Sequence, residues 1–172
     1  MAKQPTLRPS DLVVALQLAL TPEAQFKSVS ERTEISTGEC HNAVRRLRLS
    51  ALVLDDERRP STTALFDFIV HGVPYAFPSV LGASLPGVPT AHTAPAFRGI
   101  LESPDGYVWP HADGSARGQS LVPLYPGAPL LPGRNQPLYE LLTIADALRV
   151  GTTRVRKVAA ELLQARLGGT TP

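Results

Sequence analysis

Apolar residues recur three and four positions apart in two parts of this 172-residue chain, one near each end. Such spacing places them on one face of an α-helix, and it predicts helices over residues 10–20, 26–32, 36–48, 62–71, 137–150 and 153–166. Residues 73–137 differ, because they hold twelve of the 17 prolines and a helix interior excludes proline. The pattern therefore predicts a mainly α protein with a small β component.

The helices and the proline-rich segment divide the chain into three predicted parts. Residues 1–72 form an N-terminal helical unit, residues 73–134 a Pro/Gly-rich irregular segment, and residues 135–172 a C-terminal helical hairpin. The middle segment still carries aromatic residues and little charge, which is not the composition of a disordered linker. We expect it to be ordered.

The second and third predicted helices flank a tight turn. Phe26 and Val29 face inward on the earlier helix, residues 33–35 turn the chain, and Ser36 begins the later helix. Ser36 and Glu39 have the spacing of a capping box, in which the hydroxyl accepts from the backbone three residues on and the carboxylate reaches back. The later helix then carries a narrow apolar stripe formed by Cys40, Ala43, Val44 and Leu47.

The other faces of this helix are polar and basic. Asn pairs with adenine, Arg pairs with guanine or a phosphate, and a helix N-terminus can sit on a phosphate, so the helix is suited to the major groove of DNA. The candidate DNA contacts are Ser36, Thr37, Gly38, His41, Asn42, Arg45, Arg46 and Arg48, with Lys27 before them and Arg58 and Arg59 after them. The alternative is an ordinary helix pair with a solvated basic face.

A short predicted strand at residues 52–54 and a polar turn at residues 55–60 follow. Helix, helix, strand and basic turn in this order resemble the winged helix-turn-helix regulators of bacteria, including the MarR-like group, over about residues 10–60. The resemblance implies a winged-helix-type N-terminal unit. Residues 61–72, however, have the pattern of a capped helix that ends at Gly72, where the family would have a second wing strand. We therefore expect the wing to be short or absent.

The first predicted helix is apolar nearly all round, which predicts that it is buried, and Ser10 stands at its capping position. Lys3 and Arg8 before it imitate a signal peptide, but Asp11 and Gln17 interrupt the apolar run. The helix is also too short to span a bilayer. A cytoplasmic protein without membrane contact is expected.

The helix over residues 62–71 carries more apolar surface than one side of a surface helix needs. Either it is central to the core or it is part of a subunit interface. The pattern favours neither.

Two short strands are predicted within the middle segment, at residues 106–111 and 119–124, joined through the turn-rich residues 112–118. A proline in each strand marks them as edge strands or a two-stranded piece. We therefore expect a short β-hairpin, with Arg117 near its tip, which could serve as a displaced wing.

Cap residues mark the last two helices. Asn135 and Pro137 open the first, Gly151 ends it, and Thr152 or Thr153 caps the second. Their apolar positions repeat the spacing of the first helix pair 115 positions upstream. We favour a hairpin that packs on the core or on a second subunit over a second DNA-binding element. In the latter case the contacts would be Thr152, Thr153, Arg154, Arg156 and Lys157.

Composition narrows the chemistry further. A net charge of +2 and a pI near 8.9 permit a nucleic-acid partner without demanding one. The one cysteine, Cys40, excludes an internal disulfide and suits a reducing compartment. His71, His92 and His111 match no metal-ligand spacing, and the chain has neither a phosphate-binding glycine loop nor a nucleophile elbow. We expect no enzyme activity, no metal and no cofactor.

The function that these patterns favour is sequence-specific regulation of transcription by binding to double-stranded DNA. A homodimer is expected, because one recognition helix specifies only a few base pairs. An alternative is a protein-interaction module, such as an antitoxin that neutralises a toxin-like partner and represses its own operon. The large middle segment supports that alternative, because a repressor that only binds DNA does not need it. A third possibility is a pocket for a small apolar effector in the middle segment.

Overall fold

The computed structural model describes residues 4–54 and 58–168. It divides the chain into two compact units, Met1–Leu65 and Phe66–Pro172. The proline-rich segment and the last two helices lie together in the second of these units. Helices together with one small sheet confirm the prediction of a mainly α protein with a small β component.

Most of the first unit consists of three helices that pack on one another, α1 (Pro9–Leu20), α2 (Phe26–Thr33) and α3 (Thr37–Leu49). Helix α1 is buried from Asp11 to Leu18, as its apolar pattern predicts. The predicted cap at Ser10 is wrong, because the helix already begins at Pro9. The carboxylate of Asp11 caps it instead and accepts from the backbone N–H of Arg8 at 2.9 Å.

One antiparallel bridge follows α3 and pairs Val53 with Pro60. Beside it, the backbone N–H of Ser61 donates to the carbonyl oxygen of Leu52 at 2.9 Å. The predicted strand at residues 52–54 is thus reduced to a bridge. Half of the predicted polar turn over residues 55–60, namely residues 55–57, lies outside the described part of the chain.

The next helical segment runs through its predicted end. Helix α4 (Thr62–Asp67) continues as one wide turn of π-helix (Phe68–Gly72) into the short helix α5 (Val73–Ala76). The prediction that Gly72 ends this helix is wrong, because Gly72 keeps a right-handed helical backbone with φ −104° and ψ −48°. Ile69 and Val73, four positions apart on one face of this helical segment, are fully buried. That face therefore belongs to the core.

Three strands close into a small barrel in the second unit, β1 (Leu81–Thr90), β2 (Tyr107–Pro110) and β3 (Ala116–Leu121). The first half of β1 pairs antiparallel with β3 and its second half pairs antiparallel with β2, and Gly87 takes part in both pairings. Strands β2 and β3 run parallel to each other. The predicted hairpin is therefore wrong. Strands form near both predicted positions, but the second covers residues 116–121 instead of 119–124, so Arg117 lies within β3 and not at a turn. Each of the two strands pairs mainly with β1, which the proline-rich sequence did not predict.

Gly87 lies at a close approach between β1 and β2. A Cβ atom at this position would lie 2.2 Å from the backbone oxygen of Trp109. Backbone atoms cannot move aside as a flexible side chain would, so only glycine fits here.

The last two helices, α6 (Gln136–Val150) and α7 (Thr153–Leu167), confirm the predicted C-terminal pair. The side chain of Asn135 accepts from the backbone N–H of Leu138 at 3.4 Å, and that of Thr152 accepts from Val155 at 3.5 Å. Helix α7 packs on α6. Helix α6 is buried on nearly every side and not on one face alone.

A buried polar network fastens α6 to the barrel. The carboxylate of Asp146 accepts from the hydroxyl of Thr90 and from the indole N–H of Trp109, each at 2.7 Å. Arg149 donates to the same carboxylate at 2.6 Å and to the carbonyl oxygen of Phe77 at 2.8 Å. Burial raises the pKa of Asp146, and the charge of Arg149 and these hydrogen bonds oppose that shift. The network is a structural element of the core.

Candidate nucleic-acid interface

Helix α3 begins where the sequence predicts. The side-chain oxygen of Ser36 accepts from the backbone N–H of Glu39 at 3.3 Å, so one half of the predicted capping box is formed. The predicted apolar stripe is buried along its whole length, at Cys40, Ala43, Val44 and Leu47. Because this stripe packs against α1 and α2, the opposite face of α3 remains exposed.

Six of the predicted contact residues are exposed together on α3, namely Thr37, Gly38, His41, Asn42, Arg45 and Arg48. At 3.6 residues per turn these positions fall within an arc of roughly 140°. We call this surface the α3 arc. It carries two guanidinium groups, one amide and one imidazole, and no acidic residue of α3 falls on it. The arc can therefore donate hydrogen bonds to phosphates and to base edges.

Arg46 does not belong to the α3 arc. Its guanidinium donates two hydrogen bonds to the carboxylate of Asp11, at 2.8 and 2.7 Å, and a third to Glu39. The side chain of Arg46 is only 11% exposed. Hydrogen bonding to Asp11 raises the pKa of Arg46 above its already high ordinary value. Arg46 is therefore held within the first unit and is not a candidate DNA contact.

The carboxylate of Glu39 accounts for the other half of the predicted capping box. It pairs with Arg46 and, at 3.3 Å, with Arg8, and does not reach back to Ser36 as predicted. The hydrogen bond from Arg46 lowers the pKa of Glu39, against an opposing effect of partial burial. The negative charge of Glu39, on the same helix as the α3 arc, is thereby paired with two arginines.

Phe26 of α2 contacts α3 and the segment that follows α3, at the edge of the α3 arc. Its ring lies against the imidazole of His41, with ring centroids 3.8 Å apart and planes inclined by 38°. The guanidinium of Arg58 lies 5.0 Å from the same ring centroid, a distance typical of a cation–π contact. Phe26 is half-buried, so the prediction that it faces inward is only partly correct. No spacing rule could have linked these positions, since they are distant in sequence.

The remaining basic candidates of this unit differ in their surroundings. Lys27 is exposed at the start of α2, and Arg58 is half-buried against Phe26. Arg59 is exposed and lies 3.6 Å from the carboxylate of Glu23, which is itself almost fully exposed. An ion pair in that setting contributes little and exchanges readily for another partner.

Helix α7 carries the second set of candidate contacts. Thr153, Arg154 and Lys157 are exposed. Arg156 is exposed too, but its guanidinium donates to the carbonyl oxygen of Gly151 at 2.9 Å. Thr152 is occupied as the helix cap.

No protein-family model, curated protein or solved structure matches this chain. Within residues 4–54 and 58–168, no group of three or more His, Cys, Asp or Glu side chains could hold a metal ion. In that same part of the chain, no helix is both long and apolar enough to cross a membrane.

Proposed function

We propose that this chain is a cytoplasmic, sequence-specific regulator of transcription that binds double-stranded DNA through α3. The observation that carries the proposal is the α3 arc, a contiguous polar and basic surface opposite a fully buried stripe. Helix α2 precedes it through a tight turn, in which Glu34 takes a left-handed backbone with φ 60°. A short helix pair with such an outer face is the geometry of a helix-turn-helix.

Within this proposal the residues of the α3 arc divide between bases and phosphates. Asn42 and Arg45 are assigned to base edges, because amide and guanidinium groups can form paired hydrogen bonds with adenine and guanine. Arg48 is assigned to a phosphate. Thr37 and Gly38, in the first turn, bring backbone N–H groups to a second phosphate.

The bridge between Val53 and Pro60 supports a winged variant of this fold with a very short wing. Arg58 extends from that wing towards Phe26 and hence towards His41. We assign Arg58 to the DNA backbone beside the groove that α3 enters.

A homodimer is part of the proposal. One short recognition helix contacts too few base pairs to specify a site, and two copies related by two-fold symmetry would read both halves of a palindrome. The proposal therefore predicts an operator with two inverted half-sites about one helical turn apart.

The test is fluorescence anisotropy of the purified protein with its own upstream DNA, over a salt series and with unrelated DNA as competitor. We expect competitor-resistant binding that weakens steeply as salt rises, because phosphate contacts release counterions. Arg45→Ala should weaken specific binding by about 1–3 kcal/mol.

Arg98→Ala is the matched control, because Arg98 is an exposed arginine of the second unit. It should leave affinity within about twofold, as expected for a surface substitution outside the interface. Equal affinity for upstream and unrelated DNA, or equal effects of the two substitutions, would contradict the proposal.

A protein-interaction module such as an antitoxin is the second candidate function. It is favoured by large apolar side chains that are exposed on β1 and immediately beside the paired ends of β1 and β3. Val80, Leu81, Leu85 and Val122 are between 40% and 57% exposed, and the backbone N–H of Val122 donates to Val80. Co-expression with the product of the adjacent gene tests this function. A complex that survives purification and is lost in Val122→Asp would support it, whereas separate elution of the two proteins would contradict it.

A further inference from the structure

The second unit contains a cleft of about 800 Å³, a volume within the range of small-molecule sites. Strands β1 and β3 supply one wall, the loop over residues 101–106 with the first residue of β2 supplies another, and the turn between α6 and α7 supplies the third. These walls come from distant parts of the sequence, so only the folded chain creates the cleft. We call it the β3–α7 cleft.

Two arginines contribute to different walls of the β3–α7 cleft. Arg117 stands on β3 and donates to the carbonyl oxygen of Ser84 at 3.3 Å, which uses one of its five N–H groups. Arg154 stands in the first turn of α7, and no hydrogen bond or ion pair joins it to another residue of the described chain. Both side chains are exposed. Planar guanidinium groups of this kind bind phosphates and carboxylates through paired hydrogen bonds.

The remaining wall has the opposite charge. Glu102 and Asp105 are exposed lining residues, and neither forms an ion pair with a described residue. Their loop is held in shape because Ser103 and His92 both donate to the carbonyl oxygen of Asp105, at 3.0 and 3.3 Å. Carboxylates accept hydrogen bonds from hydroxyl and amino groups. A ligand that matches this lining thus carries both an anionic group and hydroxyl donors.

An aromatic pair lies beside this loop. Tyr107 lines the cleft and meets the ring of His92 edge-on, with centroids 5.7 Å apart. The aromatic ring of Tyr107 in the cleft lining suits contact with a heterocyclic base.

We propose that the β3–α7 cleft binds a nucleoside phosphate. The phosphate lies between Arg117 and Arg154, the sugar hydroxyls donate to Glu102 and Asp105, and the base lies against Tyr107. This site lies within the second unit and does not depend on the DNA-binding proposal. Its lining differs from that of the apolar effector pocket considered for the middle segment, since charged side chains from three walls line this cleft.

The test is isothermal titration calorimetry of the full chain, without DNA and at constant ionic strength. The probes are the four ribonucleoside monophosphates, their parent nucleosides and inorganic phosphate. We expect at least one monophosphate to bind at least about tenfold more tightly than its nucleoside and than phosphate alone, because each half of the ligand adds contacts. Binding of inorganic phosphate as tightly as any nucleotide would overturn the proposal.

Substitutions then locate the binding site. Arg117→Gln and Arg154→Gln should each weaken nucleotide binding about tenfold, the effect of losing one charged hydrogen bond. Lys157→Gln is the control, because Lys157 is an exposed cation of the same helix outside the cleft lining, and it should leave binding unchanged. Trp109 fluorescence verifies that each variant is folded. Nucleotide binding that is unaffected in both arginine variants, or no binding by any nucleotide at millimolar concentration, would overturn the assignment.

Glu102→Gln separates recognition from simple anion attraction. Removing a negative charge strengthens binding of any anion that the cleft merely attracts. If the Glu102 carboxylate accepts a sugar hydroxyl, nucleotide binding weakens in this variant while phosphate binding does not. Stronger binding of both probes would contradict the assigned ligand orientation.

Discussion

Arg46 on α3 and Asp11 on α1 are joined by two hydrogen bonds of 2.8 and 2.7 Å across 35 positions of sequence. The Asp11 side chain is 1% exposed and that of Arg46 is 11% exposed. The same carboxylate caps α1 through the backbone N–H of Arg8. One buried acid thus fixes both the start of α1 and the position of α3, and removing its partner would leave it charged and uncompensated.

Arg46→Met is therefore expected to lower the free energy of unfolding by about 3–5 kcal/mol. Urea unfolding followed by circular dichroism measures this change. Arg45→Met, one position away on the α3 arc, is the control and should alter stability by no more than about 0.5 kcal/mol. Similar stabilities of the two variants would show that the ion pair does not hold α3.

Gly38 can be tested for a binding role separately from a folding role. A Cβ atom there would have no other atom within 4 Å, and alanine is favoured over glycine in helices by up to about 1 kcal/mol. Gly38→Ala should therefore keep or raise stability. If the first turn of α3 approaches a phosphate, the added methyl group should weaken DNA binding about fivefold, or roughly 1 kcal/mol. Unchanged affinity would show that this turn stays away from DNA.

Asp146→Asn tests the buried network of the second unit. The substitution keeps the shape of the side chain but leaves the buried charge of Arg149 without its partner. We expect a loss of about 3–5 kcal/mol in the free energy of unfolding. Trp109 is the one tryptophan of the chain and donates to Asp146, so its fluorescence reports the transition directly. Asp113→Asn, at an exposed turn, is the control, and an equal effect there would contradict a special role for Asp146.

The stability of the first unit should depend on pH through Cys40. Burial raises the pKa of the Cys40 thiol from 9.0 to about 11, so the folded state keeps its proton in a range where the unfolded state has lost it. The contribution of the protonated Cys40 thiol to the free energy of unfolding is complete below pH 9 and disappears as pH rises towards 11. The loss should be about 1–3 kcal/mol.

Denaturant unfolding at a series of alkaline pH values measures this effect, with Cys40→Ala as the reference that lacks the thiol. The stability difference between the two proteins should shrink as pH rises. In addition, iodoacetamide at pH 8 should modify Cys40 slowly in the native protein and rapidly in urea, because the thiolate is the reactive form. Rapid native modification would contradict the buried, neutral thiol.

Local sequence signals were sufficient to predict the two helix pairs, α2 with α3 and α6 with α7. Ser36, Asn135 and Thr152 cap helices as predicted, because a cap depends on atoms three residues away. The buried stripe of α3 was also predicted correctly, since helical periodicity alone decides which side chains share a face. Six exposed candidates on the α3 arc follow from the same periodicity.

In the first unit, only the tertiary structure decided which charged and aromatic side chains remain available to bind a partner. Arg46 and Arg45 are neighbours of the same type, yet one is held by Asp11 from another helix and the other is exposed. Phe26 contacts His41 and Arg58 from two other elements. Such partners are distant in sequence, so spacing rules cannot predict them.

The second unit shows the same contrast, between features set by local sequence and features set by tertiary contacts, more clearly. Its apolar and capping pattern determined α6 and α7, but β1, with Pro86 and Pro89, has no recognisable strand pattern. It forms a strand because β2 and β3 supply its hydrogen bonds, and because Gly87 lets the strands approach. The sequence by itself determined the elements whose stabilising contacts are local. The tertiary structure decided the strand pairing, the buried ion pairs and the cleft, since each depends on groups that only folding brings together.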